Sequence, residues 1–438
     1  MLVALLLVVA LVIPAAAENW PAWRGPDGNG IVHETNLPLH WSTNQNIHWR
    51  TVLPSPGNST PIIWGTRVFI TQAVANENRR LVMGFDLRNG KLLWQAGTNA
   101  SEKVSGGSAN PPCTPSPVTD GERVVAWFGS AGVFCFDMDG REVWHRDLGR
   151  QSHGWGYAAS PVLYDDLCLL NFGPGQRSFV IALNKRTGET VWQYDVPPIA
   201  ADAKWEDFGG DLKDWKRLGS PGMPEVMGSC ATPVIVSAPG QDELVVALPL
   251  RVVAFAPKTG NRLWNCDGLN TGAYSSPYVG EGLLGVTGSG LRNAVMVIRP
   301  GGRGDVTATH RLWHKTPPSS KSCIGSGVIS GGHIYQVTTM GFAQCLDLKD
   351  GRTIWEERLT GSGARNGFWS SPILSGDRIY VPNQNADVFV LRAGPQFECL
   401  ATNTIGGEQM NASLSVADGN LFIRTHKNLW CIRNETKL

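Results

Sequence analysis

Hydrophobic and polar side chains alternate in short runs along most of this 438-residue chain. Near the C-terminus, Ile379 and Val381 alternate with Tyr380, and Val388 and Val390 repeat the pattern a few residues later. An alternation with a period of two predicts β-strands, and the Gly, Asp and Asn residues between the runs predict tight turns. We therefore expect an all-β fold built from antiparallel hairpins.

The chain also repeats itself. Each unit opens with Ser or Thr, usually followed by Pro, at the start of a strand, and the units recur about every 45 residues. The eight copies open at Thr60, Ser116, Ser160, Thr232, Ser276, Ser326, Ser371 and Ser413. Four short strands fit into each unit, as in the blade of a β-propeller. We predict a single domain over residues 18–438, an eight-bladed β-propeller of four-stranded antiparallel blades.

A second phrase marks the end of most units. It is Gly followed four positions later by Trp, and Trp313 belongs to a further copy whose Gly is displaced. The Gly permits a tight turn into the outer strand, and the Trp has the size to fill the gap between adjacent blades. We interpret seven tryptophans as structural residues of the repeat: Trp49, Trp94, Trp144, Trp192, Trp264, Trp313 and Trp355.

The two ends of the repeat region complement each other. The eighth unit, which ends at Leu438, has three strands and lacks the terminal Gly-x-x-x-Trp phrase. Residues 46–52 have the pattern of an isolated fourth strand and carry Trp49. Pairing of this N-terminal strand with the last blade would close the ring and remove an open sheet edge. We therefore predict that blade 8 is shared between the two ends.

The net charge argues against nucleic-acid binding, and the first residues predict export. Lys and Arg number 38 against 37 Asp and Glu, so the chain has no electrostatic footprint for nucleic acid. Residues 2–13 are apolar and are followed by Pro14 and three alanines, which is the pattern of a cleaved signal peptide over residues 1–17. We predict export to the periplasm or the extracellular space, with no stable membrane span.

Nine cysteines in an exported chain raise the possibility of disulfides. However, Cys135, Cys345 and Cys431 fall at the same third-strand position, where other blades carry Gly84 or Ala182. That position favours a small buried residue, and thiols in three different blades are too far apart to pair. We interpret most of the cysteines as reduced packing residues.

Two stretches carry a family resemblance: FVIALNKRTGETVWQYDV over 179–196 and CLDLKDGRTIWEERL over 345–359. They resemble the PQQ-like, or quinoprotein-type, repeats of β-propellers. The phrase Trp20–Pro26 resembles the N-terminus of exported members from planctomycete-type bacteria. The repeats are also similar to the propeller lipoproteins of outer-membrane barrel-assembly machines.

The resemblance implies two different activities. Quinoprotein dehydrogenases hold PQQ over Ca²⁺ at one propeller mouth, with a carboxylate base and commonly a disulfide of adjacent cysteines. This chain has no Cys-Cys pair, no Cys-x-x-Cys-His haem site, and neither a Gly-x-Ser-x-Gly nor a His-Glu-x-x-His motif. The barrel-assembly lipoproteins bind a partner without chemistry, although this chain lacks a Cys for a lipid anchor after its apolar run.

We therefore predict an exported, monomeric, non-catalytic propeller that acts as a binding or scaffolding module for an envelope protein partner or a small ligand. No cofactor, metal or catalytic residue is expected. The alternatives are a PQQ- and calcium-dependent quinoprotein dehydrogenase, or a propeller that binds a glycan or another small ligand.

The loops that precede the innermost strands surround one mouth of a propeller channel, and here several are aromatic and polar. The candidate ligand-binding residues are His153, Trp155, Tyr157, Ser229, Cys230, Tyr274, Ser275, Arg365 and Trp369. Aromatic and hydroxyl groups that converge on a concavity are typical of a binding pocket. The alternative is that they plug the channel. An insertion over residues 197–228 is expected to cap this mouth.

Overall fold

The computed structural model describes residues 18–100, 110–151, 153, 155–175, 177–197, 228–269, 272–288, 293–363 and 367–435. The predicted signal peptide, nearly all of the predicted insertion, and Arg365 lie outside these residues. The described chain consists of β-strands and three short 3₁₀ helices, Ala75–Glu77, Gly129–Ala131 and Ser319–Lys321. In these residues no helix has the length and apolarity needed to cross a lipid bilayer.

The strands form eight antiparallel sheets, and the first strands of neighbouring sheets contact one another around a central channel. The innermost strands are β3 (Ile62–Trp64), β7 (Val118–Thr119), β11 (Val162–Tyr164), β15 (Val234–Ala238), β19 (Tyr278–Gly280), β24 (Val328–Ser330), β28 (Ile373–Ser375) and β32 (Ser415–Ala417). The second strands are β4 (Arg67–Val74), β8 (Arg123–Trp127), β12 (Leu167–Phe172), β16 (Gln241–Leu248), β20 (Leu283–Thr287), β25 (His333–Val337), β29 (Arg378–Pro382) and β33 (Asn420–Arg424).

The third and fourth strands complete each blade towards the outside. The third strands are β5 (Arg79–Asp86), β9 (Val133–Asp137), β13 (Phe179–Asn184), β17 (Arg251–Phe255), β21 (Val295–Ile298), β26 (Phe342–Asp347), β30 (Asp387–Arg392) and β34 (Asn428–Ile432). The outermost strands are β6 (Leu92–Asn99), β10 (Glu142–Arg146), β14 (Thr190–Asp195), β18 (Arg262–Asp267), β23 (Arg311–Lys315), β27 (Thr353–Arg358), β31 (Cys399–Thr404) and β2 (Ile47–Val52). The all-β, eight-bladed propeller is confirmed.

The ring closes as predicted. Strand β2 pairs antiparallel with β34, with Trp49 opposite Cys431 and Thr51 opposite Leu429. Two further short strands extend neighbouring sheets in parallel: β1 (Ile31–Val32) alongside β28, and β22 (Gly304–Asp305) alongside β18.

The repeated tryptophans join each blade to the next. In six of them the indole N–H donates to a backbone carbonyl of the following blade over 2.8–3.0 Å. The repeated Gly receives the indole. Gly90 has a φ of +69°, and a Cβ at this position would lie 2.4 Å from the Trp49 ring. The turn and the packing therefore both require Gly.

Packing of the indole rings also explains why a small residue recurs in the third strands. Cys135 lies opposite Trp144, Cys345 lies opposite Trp355, and Gly84 lies opposite Trp94. A larger side chain would displace the indole from the gap between blades. All nine cysteines are free thiols in this structure.

Trp264 is an exception, because blade 5 lacks the Gly that would receive it. Its indole N–H donates instead to Oε2 of Glu243 over 2.7 Å, and the amide of Gly301 donates to the same oxygen over 3.2 Å. Glu243 is fully buried, and Arg303 lies 3.8 Å from its other oxygen. A carboxylate in blade 4 thus replaces the usual backbone carbonyl.

Blade 7 lacks the indole itself. Ala401 pairs with Val390 at the register where blade 6 has Trp355. Trp41, from the segment before β2, is buried in the same hydrophobic cluster as Ala401, and its amide donates to Oδ1 of Asn403 over 2.9 Å. The N-terminal segment therefore supplies the aromatic ring that the repeat omits.

Candidate functional site

A closed ring of eight hydrogen bonds surrounds the channel. Each unit opens with Ser or Thr, and its hydroxyl oxygen accepts from the amide of the equivalent residue in the preceding blade. The bonds run from Thr60 to Ser116 (2.8 Å), Ser116 to Ser160 (3.0 Å), Ser160 to Thr232 (2.9 Å), Thr232 to Ser276 (2.8 Å), Ser276 to Ser326 (3.0 Å), Ser326 to Ser371 (2.9 Å), Ser371 to Ser413 (3.0 Å) and Ser413 to Thr60 (3.1 Å). We call these residues the hydroxyl ring.

The hydroxyl ring forms the lower wall of a pocket. Every member except Ser326 lines this pocket. None of the eight hydroxyls donates a hydrogen bond to another described residue. Because a hydroxyl can donate as well as accept, the ring offers O–H groups to whatever occupies the pocket.

A second layer lies directly above the hydroxyl ring. In an extended chain, residues two apart point to the same side, so the residue two positions before each ring member also faces the channel. These eight residues are Asn58, Thr114, Ala158, Cys230, Tyr274, Ile324, Trp369 and Asn411, and all of them line the pocket. We call them the upper layer. The hydroxyl ring presents the same functional group in every blade, whereas the residue type in the upper layer varies from blade to blade.

The upper layer is divided into two halves. Blades 4 to 7 contribute a predominantly apolar wall of Cys230, Tyr274, Ile324 and Trp369. Blades 8, 1 and 2 contribute a polar wall of Asn411, Asn58 and Thr114, with Ala158 of blade 3 between the two walls. No side chain in either layer carries a charge. The lining of the pocket is therefore amphipathic and uncharged.

Neighbouring residues hold the polar wall in place. Oδ1 of Asn58 lies 3.0 Å from Nε2 of His426, and Nε2 of Gln384 donates to Oδ1 of Asn411 over 2.9 Å. Such contacts outside the pocket fix the orientation of both carboxamide groups.

Loop residues complete the rim. Trp155 lines the pocket with 57% of its surface exposed, and its carbonyl oxygen accepts from Nδ2 of Asn110 over 2.5 Å. Asn110 also lines the pocket, and its Oδ1 accepts from the hydroxyl of Thr114 over 2.6 Å. The volume enclosed is about 300 Å³, at the lower end of the range for small-molecule sites.

The N-terminal segment crosses the channel below the hydroxyl ring. Trp20 forms two backbone hydrogen bonds with Ile63 of blade 1, and the carbonyl of Pro21 accepts from Thr119 of blade 2. Further along, the carbonyl of Gly30 accepts from Leu374 of blade 7. We call residues 20–34 the plug. Trp23 of the plug lines the pocket from below, so the pocket is blind.

Arg24 anchors the plug to blade 6. Its guanidinium is completely buried and donates to the carbonyls of Ser326 (3.1 Å), Gly327 (2.6 Å) and Asn29 (2.5 Å). Burial lowers the pKa of Arg24 to about 9, against a small opposing effect of Tyr278. The three backbone carbonyls thus solvate the buried charge of Arg24 in place of water.

Burial also affects the ionisable groups near the mouth. It raises the pKa of the Cys230 thiol to about 12. Burial also raises the pKa of Tyr274, and the nearby Cys230 adds to this increase. Burial lowers the pKa of His153 below its usual value. At neutral pH these groups are therefore uncharged, in keeping with the neutral layers.

The structure brings four of the predicted site residues together in the pocket: Trp155, Cys230, Tyr274 and Trp369. His153 lies nearby, with Nδ1 accepting from the amide of Trp155 over 3.3 Å, but does not line the pocket. Arg365 lies outside the described residues.

Three other predicted site residues point away from the channel. Tyr157 is buried against Trp127, with ring centroids 4.9 Å apart. Ser229 donates to the carbonyl of Ala247 over 2.6 Å, and Ser275 donates to that of Cys323 over 3.0 Å. These three residues support the walls of the pocket from behind.

Sequence reasoning missed the other residues that line the pocket: Trp23, Asn58, Asn110, Thr114, Ala158, Ile324, Asn411 and the members of the hydroxyl ring other than Ser326. A signal for part of this set was present in the repeat. The ring positions keep Ser or Thr in every blade, whereas the residue type two positions earlier varies from blade to blade and only Asn occurs twice. In a repeat protein, a variable position on a shared surface indicates binding. Nothing in the sequence places Trp23 in the channel.

A quinone with calcium does not fit the two layers. Calcium prefers carboxylate and carbonyl oxygens, and PQQ carries carboxylates that basic side chains would have to balance. The two layers contain no acidic or basic side chain. Within the described residues there is also no group of three or more His, Cys, Asp or Glu side chains arranged to hold a metal ion.

Comparisons with solved structures show the fold. BamB from Moraxella catarrhalis superimposes with a TM-score of 0.57 at 15% identity, covering 89% of this chain and 97% of that chain. Quinohemoprotein alcohol dehydrogenase from Comamonas testosteroni superimposes with a TM-score of 0.66 at 12% identity, covering 96% of this chain and 81% of that chain. At these identities the similarity is one of architecture.

Comparisons of sequence show the family. Outer membrane protein assembly factor BamB of Yersinia pestis is 22% identical over 361 residues, which span 75% of this chain and 83% of the relative. The family model described as outer membrane protein assembly factor BamB matches residues 39–172, 78–357 and 251–437. The resemblance inferred from the repeats is confirmed, and the chain belongs to the family of outer membrane protein assembly factor BamB.

Proposed function

We propose that this protein is an exported, non-catalytic binding propeller that takes a small uncharged ligand into the pocket at its channel mouth. The observation that carries the proposal is the pair of stacked layers. An unvarying hydroxyl ring lies beneath an upper layer whose eight side chains vary in chemistry and carry no charge. A pocket of about 300 Å³ with aromatic walls and a few polar groups is suited to a small molecule. Export is supported by the apolar N-terminal run and by the outer-membrane role named for the relatives.

Ligand-observed NMR with a library of uncharged fragments, including heteroaromatics, polyols and simple sugars, tests this proposal. We expect saturation transfer from the wild-type protein to some fragments, and its loss in Ala158→Trp. Ala158 lies between the two walls, so an indole there would fill the pocket. The control Leu93→Ala, on the exposed outer strand of blade 1, should leave binding unchanged. If no fragment distinguishes the wild type from Ala158→Trp, the proposal fails.

Incubation with PQQ and Ca²⁺ tests the quinoprotein alternative. Because the two layers contain no charged side chain, we expect no stoichiometric binding of PQQ. Clear stoichiometric quinone absorbance, together with reduction of an acceptor dye by an alcohol substrate, would replace the binding proposal with a quinoprotein dehydrogenase.

A second candidate function is a scaffold for an envelope protein partner. The family description and the relative from Yersinia pestis favour it, because both are named for outer membrane protein assembly. Crosslinking in envelope extracts with wild-type protein and with Ala158→Trp separates the two functions. A specific partner that is captured equally by both proteins would support a scaffold that does not use the pocket.

A further inference from the structure

We infer that the ligand is a neutral carbohydrate, held by the end of its sugar chain. This inference rests on the proposed function, because it assigns a chemical class to the ligand of the same pocket. Four properties of the pocket carry it: its neutrality, its two unlike walls, its hydroxyl ring and its closed floor.

The uncharged lining offers a charged ligand no ion-pair partner. Neither layer contains an acidic or basic side chain. The guanidinium of Arg24, below Trp23, donates to three backbone carbonyls. A buried charge without a partner of opposite sign is costly. The pocket therefore favours a ligand without carboxylate, phosphate or ammonium groups.

The two walls fit the two kinds of surface that a sugar presents. The C–H face of a pyranose is apolar and packs against aromatic rings, which Trp369 and Tyr274 provide on one side. The hydroxyl edge needs partners that can both donate and accept. The carboxamide groups of Asn411 and Asn58, in the polar half of the upper layer, have this capacity. The hydroxyl of Thr114 donates to Asn110 and can accept from a sugar hydroxyl.

A planar heteroaromatic ligand would fit less well. Such a molecule has two apolar faces, and its polar atoms lie in a single plane. It would require apolar walls on both sides, but the half of the upper layer that faces Tyr274 is formed by Asn411, Asn58 and Thr114. The hydroxyl ring below would also leave its O–H groups against an apolar face. Sugar hydroxyls, which project in several directions, can reach both the polar wall and the ring.

The closed floor determines which part of a sugar chain can enter. The plug crosses the channel below the hydroxyl ring, and Trp23 lines the pocket from beneath. A polysaccharide cannot pass through the propeller. The pocket therefore accepts a mono- or disaccharide, or the terminal residues of a longer glycan, with the rest of the chain leaving past Trp155 at the rim.

An array of neutral and acidic glycans, followed by calorimetric titration of the best neutral oligosaccharide, tests the inference. We expect selective binding of neutral glycans through a terminal residue. Trp369→Ala should weaken the affinity about tenfold or more, because it removes the stacking surface. Trp369→Phe should retain most of the affinity, Ala158→Trp should abolish binding, and Leu93→Ala should have no effect. Circular dichroism melts verify that each variant is folded.

The possible failures are distinguishable. If uncharged non-sugar fragments bind in the pocket but no glycan does, the carbohydrate assignment is overturned while the proposed function stands. Preference for acidic glycans, or neutral-glycan binding that is unchanged in both Trp369→Ala and Ala158→Trp, also overturns the assignment. If neither fragments nor glycans bind, the proposed function falls as well.

Discussion

The amide of Ser413 in blade 8 donates to the hydroxyl of Thr60 in blade 1 over 3.1 Å, and this bond closes the hydroxyl ring. The two residues are 353 positions apart in the chain. The ring is therefore a second closure of the propeller, in addition to the pairing of β2 with β34. All its members except Ser326 also line the pocket, so the same groups stabilise the fold and offer hydrogen bonds to a ligand.

Removal of one ring hydroxyl should destabilise the protein. Ser326 is buried, does not line the pocket, and accepts from the amide of Ser276. In Ser326→Ala that amide has no acceptor, so we expect a loss of about 1–3 kcal/mol in the free energy of unfolding, measured by urea denaturation. Ser326→Thr is the matched control, because Thr60 and Thr232 fill the same role elsewhere. Equal stability of the two variants would contradict this role of the ring.

Trp49 should be essential for closure of blade 8. It is buried, and its indole N–H donates to the carbonyl of Leu87 in blade 1. We expect Trp49→Ala to lower the free energy of unfolding by about 3–5 kcal/mol. The control Trp155→Ala removes an exposed indole and should change stability by no more than about 0.5 kcal/mol. A small effect at Trp49 would show that blade 8 does not depend on its N-terminal strand.

The carboxylate of Glu243 should act as a hydrogen-bond acceptor for Trp264. Glu243→Gln retains an oxygen for the indole N–H, whereas Glu243→Ala leaves the indole and the amide of Gly301 without their acceptor. We expect Glu243→Ala to lower the free energy of unfolding by about 1–3 kcal/mol relative to Glu243→Gln. Thermal denaturation of both variants measures the difference, and indistinguishable melting temperatures would refute it.

The cysteines should differ sharply in reactivity. Cys399 is exposed, whereas burial raises the pKa of Cys113, Cys230 and Cys323 to about 12. Because the thiolate is the reactive species, iodoacetamide at pH 7.5 should label Cys399 rapidly in the native protein and leave these three unlabelled. Peptide mass spectrometry locates the labels, and labelling after denaturation shows that all nine thiols are free. Cys230 is partly buried and lines the pocket, so its fast labelling in the native protein would contradict the raised pKa of its thiol.

Stability should fall in mild acid partly because of His314. Burial lowers the pKa of His314 below its usual value, and this outweighs the hydrogen bond from Nε2 to the carbonyl of Gly268 at 2.8 Å. The unfolded chain therefore takes up the proton first. The stabilisation is complete above the usual histidine pKa and decreases as the pH falls below it.

His314→Gln tests this effect, because the amide can still donate to Gly268 but does not titrate. We expect the melting temperature of the wild type to fall more than that of His314→Gln between pH 7.5 and pH 5. Parallel pH profiles would show that His314 does not contribute to the acid sensitivity.

The architecture could be predicted because the same packing pattern of Gly and Trp recurs in most blades. The spacing of Gly90 and Trp94, four residues apart, recurs in later blades. This repeated Gly-x-x-x-Trp pattern predicts both a turn and a contact between blades. The strand around Trp49 was predictable for the same reason, because it supplies the one element that the last unit lacks. Trp41 was not predictable, because its place in the same hydrophobic cluster as Ala401 depends on the path of a segment outside the repeat.

The site could be predicted in part. The loops at the channel mouth were identified, but not which of their side chains face the channel. Alternation along the strand decides this for three candidates. Tyr157 and Ser229 precede their ring residues by three positions and Ser275 precedes its own by one, and all three point away from the channel. Trp369 precedes its ring residue by two positions and lines the pocket.

The plug has a consequence for how the protein is made. Arg24 bonds to residues about 300 positions later in the chain, and Glu34 accepts from the amides of Asp418 and Gly419 in the last blade. The segment that is synthesised first can therefore reach its final place only after the last blade exists. Contacts of such long sequence separation slow folding. A chain truncated before blade 8 should be more open to proteolysis, because β2 then lacks its partner strand β34 and Glu34 of the plug lacks its contacts in the last blade.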